Sequence, residues 1–190
     1  DNRARNGSSR IVNSNNYGGT YQKRLVVSGV VADDYDTFGN DTIGIFKKNE
    51  KYGYYNTKKK SIVIPAKYEN AWRFSEGLAG VIMNGKLGFI NIKDETVIGF
   101  NYGYHESHLY EFVFRWGHCA VPNEKGLCGI IDKNGKWVIK PIYELANVAS
   151  ANYAIVNVKN GFKIQIDYNG NILNPHVIDE VERLTYTKNI

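Results

Sequence analysis

What this 190-residue chain lacks narrows its function more than what it contains. It has two cysteines, Cys119 and Cys128, and no CxxC pair, which argues against a structural zinc site. No apolar run approaches the roughly 18 residues of a membrane-spanning helix. No G-x-S-x-G, H-E-x-x-H, Walker or dinucleotide glycine motif occurs, so nothing identifies a catalytic apparatus. No secretory signal pattern is present. The first residue is Asp1 and not Met, which leads us to expect a segment removed upstream. Residues 1–20 read as a polar tether, rich in Asn, Ser, Arg and Gly up to Asn16. A folded array behind such a tether suits an exported, surface-anchored protein, with the cytoplasm as the alternative.

The remaining composition is that of a folded β-protein. Hydrophobic residues at 43% and charged residues at 23% exclude wholesale disorder. Aromatics reach 13%, with 14 Tyr against a single Met, and Tyr favours pleated, half-buried surfaces. The 19 glycines suit many tight turns. A net charge of +5 is mild, and the lysines are spread, Lys58, Lys59 and Lys60 being the one triple. They read as solvated turn tips and guards on sheet edges, not as a focused phosphate patch. No nucleic-acid partner is expected.

Internal repetition is the dominant signal. Gly53-Tyr54-Tyr55-Asn56 precedes Ile62-Val63-Ile64-Pro65, and Gly88-Phe89-Ile90-Asn91 precedes Val97-Ile98. Gly129-Ile130-Ile131-Asp132 precedes Val138-Ile139-Lys140-Pro141, and Ile164-Gln165-Ile166-Asp167 precedes Ile172-Leu173-Asn174-Pro175. The steps between Asn56, Asn91, Asp132 and Asp167 are 35, 41 and 35 residues. Upstream, the stretch from Phe74 to Val81 matches that from Phe114 to Val121. Asn152 to Val156 and Ile43 to Phe46 are looser copies.

One unit follows from turn chemistry. Leu78 to Met83 meets Asn84-Gly85, a pair suited to a two-residue hairpin with positive φ at both positions. The Asp or Asn at the end of the return strand caps a second, glycine-bearing turn. A third strand then ends at Pro65 or Pro141, where a ladder donor is missing. Each unit is a three-stranded meander with a fourth short strand around Tyr68 to Phe74, and it needs neighbours to bury its apolar face. Ile64, Ile98 and Ile139 should be buried alike, as should Val81, Val121 and Val156.

These residues resemble the WG-repeat (KWG-repeat) family. Its pattern reads F-x-x-G-L-A-x-V, a turn, W-G-[YF]-I-[DN], a glycine turn, then V-I-x-P-x-[YF]-[DE], and the resemblance covers about Ile43 to Leu184. The signature Trp is Tyr52, Leu87 and Cys128 here, and the last copy has Lys163 where the Gly is expected. The literal Trp116-Gly117 lies in another frame. Membership implies a bacterial, often exported repeat protein and no particular reaction.

The second unit carries six surplus residues, placed between Asn101 and Tyr110. Tyr102, Tyr104, His105, His108 and Tyr110 form the candidate binding site there, since insertions in arrays map to binding loops. Tyr110, Phe112, Phe114 and Trp116 alternate as on one strand face, with Phe112 and Phe114 read as core. His105, Glu106 and His108 lack the further ligands a metal needs, so no metal and no cofactor is expected. Cys119, in the slot of Ala79, and Cys128, in the Trp slot, read as core residues on one face and diagonal to each other; a disulfide there is the oxidised alternative. Asp33, Asp34 and Asp36 read as a solvated loop.

The expectation is an all-β chain of about four tandem antiparallel meanders, stacked as an open or irregular array or as a small propeller. A degenerate lead-in would span 21–42, with units near 43–76, 77–116, 117–151 and 152–190. Its function would be non-catalytic binding or scaffolding of an unknown protein. A glycan or cell-wall module using surface aromatics is the alternative, and a hydrolase is third.

Overall fold

The computed structural model describes residues 25–36, 42–104, 111–158 and 162–173. All regular structure among them is strand, so the all-β meander architecture holds. A small hairpin, β1 (Val26–Val27) with β2 (Val30–Val31), comes first. The first sheet runs in order through β3 (Asp34–Asp36), β4 (Ile43–Lys48), β5 (Lys51–Asn56) and β6 (Ser61–Tyr68). The second contains β7 (Asn70–Ala71), β8 (Ala79–Met83), β9 (Lys86–Ile90) and β10 (Thr96–Tyr102). The third contains β11 (His118–Pro122), β12 (Cys128–Asp132) and β13 (Trp137–Tyr143). The fourth contains β14 (Leu145–Val148), β15 (Tyr153–Asn157) and β16 (Lys163–Asp167). The described residues fall into two compact units, one within Asp1–Asn101 and Glu106–Val113, the other within Tyr102–His105 and Phe114–Ile190.

The turns form as their residues dictate. Met83 pairs with Lys86 across Asn84 (φ 52°) and Gly85 (φ 70°), both in the left-handed region a two-residue hairpin requires. The Glu69 carboxylate accepts from both of those backbone N–H groups, at 3.1 and 2.8 Å. In the first sheet Asp33 plays the same part, accepting from the N–H of Asn49 at 2.7 Å and pairing with Lys48 at 3.0 Å. The acidic trio is therefore not a solvated loop. Asp33 caps a turn, and Asp34–Asp36 is strand β3, drawn into the sheet by pairing with β4.

At the other end of each meander the repeated Asp or Asn caps its turn. The Oδ1 atoms of Asn91, Asp132 and Asp167 each accept from the N–H groups two and four residues on, between 2.7 and 3.0 Å. Asn56 accepts from Lys58 and Lys59 in a turn one residue longer.

The proline expectation is corrected. β6 and β13 do not end at Pro65 and Pro141; they run on to pair Tyr52 with Tyr68 and Cys128 with Tyr143. A bulge takes each proline out of the ladder, so no donor is missed. The bulge also explains the repeated glycine. A Cβ on Gly53 would lie 2.6 Å from the Ile64 carbonyl oxygen, and one on Gly129 would lie 2.5 Å from that of Ile139. The third strand crosses so closely that only glycine fits beneath it.

That register also corrects the reading of the last copy. Val121 pairs with Gly129 and Val156 with Ile164, so Ile164 holds the glycine position and Lys163 the Trp position. The fourth sheet carries only a bridge from Ile166 to Ile172 and one bond from Leu173 on that side, among the described residues.

Ile64, Ile98, Ile139, Val81, Val121 and Val156 are all buried, as the repeat register requires. Within the first unit, Ile45, Tyr54 and Ile64 of the first sheet pack with Ala79, Val81 and Ile90 of the second. The opposite face of the first sheet, Phe46 and Tyr55, packs with Leu25 and Val27 from the N-terminal hairpin segment.

Candidate functional site

The sequence placed the candidate site on five residues, and the structure redistributes them. Tyr102 is not a surface contact. It ends β10, is 5% exposed, donates its hydroxyl to the Gly135 carbonyl at 2.7 Å, and meets Trp137 edge-on at 5.5 Å. Burial, with the charge of Asp132, pushes its hydroxyl pKa up. Tyr102 stands where Tyr68 and Tyr143 stand in their sheets, so it belongs to the repeat, and the surplus residues begin after it. Gly103 donates to the Pro122 carbonyl at 3.0 Å, and a Cβ there would lie 2.2 Å from the Asn123 oxygen. Tyr104 is half-buried. His105, His108 and Tyr110 lie outside the described residues.

The aromatic alternation from Tyr110 to Trp116 does not make a strand over its described part. Phe112, Val113 and Phe114 are all buried, and no strand is formed across them. Phe112 meets Trp72 edge-on at 4.6 Å. Trp116 sits at the tip of a two-residue turn, φ 50°, with Gly117 at φ 76°. Arg115 and His118 close that turn with reciprocal backbone bonds of 2.9 and 3.0 Å. Ser75 and Leu78 close the sister turn over Glu76 and Gly77. Sequence reasoning missed this turn, although a Gly at its second position was the readable signal. Trp116 is 51% exposed, a large ring held outward in a backbone conformation that non-glycine residues rarely adopt.

Several tyrosine hydroxyls are committed to the fold. Tyr54 donates to the Trp72 carbonyl at 2.8 Å, and burial raises its pKa well above the ordinary range. Tyr68 donates to Asp94 Oδ1 at 2.6 Å, and the ammonium of Lys67 pairs with the other oxygen. Burial first, then that bond, raises the Tyr68 pKa. Asp94 holds φ 68° where the sister turns place Gly135 and Gly170. Tyr168 stacks flat on His118 at 3.8 Å and donates to the Ser150 carbonyl at 2.7 Å; burial pushes its pKa up to about 12.

Cys119 and Cys128 are free and buried. The expectation of a shared face is corrected: Cys128 pairs with Pro122, three residues from Cys119, which puts the two thiols on opposite faces of the hairpin. Burial raises the Cys119 pKa, so the thiolate is disfavoured. Among the described residues no group of three or more His, Cys, Asp or Glu side chains could hold a metal ion. No helix among them is long and apolar enough to cross a membrane.

The fold and register define a tandem β-meander repeat protein. A family model described as the WG containing repeat matches residues 52–86 and 129–161, so those two segments are WG repeats. No curated protein matches it. Three solved structures are similar over 73% of this chain. The computationally designed Ika8 protein has 10% identity, with 46% of its chain covered and a TM-score of 0.48. KlHsv2 with loop 6CD replaced by a Gly-Ser linker has 11% identity, 50% covered and a TM-score of 0.46. The WD40 β-propeller domain of Doa1 has 11% identity, 52% covered and a TM-score of 0.42. The chain spans about half the length of these structures.

Proposed function

We propose that the chain is a non-catalytic binding or scaffolding repeat protein with a protein partner. The observation that carries this reading is the use made of its chemistry-bearing side chains. The repeated turn residues Asn91, Asp132 and Asp167 bond turn backbone, several tyrosine hydroxyls bond carbonyls, and both thiols are buried. Trp116 stands outside that pattern, half exposed on a strained turn tip, and is the residue we assign to partner contact. Trp is enriched among the few residues that dominate interface energies. Tyr104 and the surplus segment after Gly103 form the second part of the proposed contact.

The test is affinity capture with the native chain and Trp116→Ala in parallel, followed by binding of the purified partner. Loss of at least about tenfold in affinity, or about 1.4 kcal/mol, with the β-sheet circular dichroism unchanged, supports the reading. Unchanged binding by Trp116→Ala and Tyr104→Ala places the contact elsewhere. The exposed Trp116 ring also suits the apolar face of a sugar, so a glycan array with the same two variants tests the second reading. Turnover of an ester or glycoside panel, abolished by one Asp or Glu substitution in a folded variant, would replace both with a hydrolase.

A further inference from the structure

We propose that Asn84-Gly85, the tip of the β8–β9 hairpin, is a site of spontaneous deamidation, and that the Glu69 carboxylate is the group that holds it unreacted. The reaction needs no enzyme and takes water as its co-reactant. The Gly85 backbone nitrogen attacks Cγ of Asn84, and the new N–C bond closes a succinimide ring. The Cγ–Nδ2 bond breaks, and Nδ2 leaves as ammonia, carrying the proton of the backbone N–H. Water then opens the ring at either carbonyl, giving aspartate or isoaspartate. Glycine favours this attack because it has no side chain to shield its nitrogen. Both residues are exposed, so water reaches them.

Glu69 meets the turn at the reacting atom. Its Oε2 accepts from the Gly85 N–H at 2.8 Å, and its Oε1 accepts from the Asn84 N–H at 3.1 Å. Lys51 Nζ lies 3.9 Å from the same Oε1. The attacking nitrogen must first give up its proton. A carboxylate bonded to that proton opposes its loss, because the loss would set two anions side by side. The turn itself does not demand the glycine. Asn49-Glu50 joins Lys48 to Lys51 as Asn84-Gly85 joins Met83 to Lys86, with φ 50° and 60°. A side chain is accommodated at the second position there. Glycine at position 85 therefore brings a reactivity the hairpin does not need, and the Glu69 bond offsets it.

Two other Asn-Gly pairs among the described residues, Asn134-Gly135 and Asn169-Gly170, also have exposed asparagines and serve as references. Their glycine N–H groups donate to the backbone carbonyls of Asp132 and Asp167, each at 3.0 Å. Those acceptors are neutral oxygens, whereas at Gly85 a carboxylate holds the attacking group's own proton. The reaction at Asn84 would be costly to the second sheet. Isoaspartate lengthens the main chain by one methylene inside a two-residue turn and adds a negative charge to a turn capped by Glu69. The strands it joins carry Val81, Ile82, Leu87 and Phe89 into the core.

The test incubates the full chain at mildly alkaline pH and follows the three Asn-Gly pairs by peptide mass spectrometry. Glu69→Ala should speed the loss of Asn84 at least about tenfold, while Asn134 and Asn169 keep their native rates. An unchanged rate at Asn84 overturns the proposal. So does a rise shared by all three, which would report general loosening of the fold. Should Glu69→Ala not fold, the native chain decides by itself, compared in buffer and in urea. In urea the three pairs react as chemically similar dipeptides. Folding should slow Asn84 at least about tenfold more than it slows either of the others; equal slowing overturns the proposal.

Discussion

The second and fourth sheets come from the same repeat and bury their strands differently. In the second sheet nearly every residue of β8 and β9 is buried, on both faces. In the fourth, β15 and β16 alternate strictly, with Ala154, Val156, Ile164 and Ile166 buried and the residues between them half-buried or exposed. The sequences say why. Leu87-Gly88-Phe89-Ile90 is apolar throughout, as a strand covered on both sides must be. Lys163-Ile164-Gln165-Ile166-Asp167 has period two, as suits a strand covered on one side. Lys163 and Gln165 give the fourth sheet a more polar face than Leu87 and Phe89 give the second.

Substitutions that swap the two patterns should separate the sheets by energy. Phe89→Gln imports the fourth-sheet residue into a fully buried site and should cost about 4 kcal/mol in urea unfolding. The reverse change, Gln165→Leu, should alter stability by less than about 1 kcal/mol. Equal costs would erase the distinction. Gly129→Ala drives a methyl into the Ile139 carbonyl and should cost about 3 kcal/mol. At the equivalent position of the fourth sheet a branched side chain is already accommodated, and Ile164→Val should cost about 1 kcal/mol.

The tyrosine hydroxyls sharpen the comparison through pH. Burial raises the pKa of Tyr54, Tyr68, Tyr102 and Tyr168 in the folded chain, the last to about 12. The unfolded chain releases those protons first, so their stabilisation is complete below about pH 10 and is lost as pH rises through the folded values. Tyr68→Phe and Tyr168→Phe should each flatten the alkaline limb of the melting-temperature profile; a limb unchanged in both assigns it to other groups. The smallest effect is expected at Asp167. Its bonds from Asn171, side chain first, then backbone, hold its pKa low, so its contribution is present above the ordinary Asp range and lost as pH falls through the folded value. Asp167→Asn should weaken only the acid limb.

Much of this architecture was legible because turn chemistry is local. Asn84-Gly85 and the capping residues Asn91, Asp132 and Asp167 specify their turns through atoms a few residues apart. Isoleucine and valine positions spaced by the repeat gave the buried set in the same way. Long-range contacts were not legible. By sequence Tyr102 looks like part of an insertion, because its partner, the Gly135 carbonyl, lies far along the chain. By sequence Pro65 and Pro141 look like strand ends, because a bulge is invisible without the opposing glycine. Trp116 lies outside the frame of the family signature, although the turn that exposes it is encoded in Trp116-Gly117.

The most direct test compares two of the four residues that occupy the family's Trp position. Leu87 is fully buried in the second sheet, and Lys163 is exposed in the fourth. Leu87→Cys and Lys163→Cys are each placed in the full chain, where Cys119 and Cys128 are buried, and labelled with a thiol reagent under native conditions. The shared register with unequal coverage predicts rapid labelling at position 163 and, at position 87, labelling no faster than global unfolding allows. Comparable rates at the two positions would contradict it.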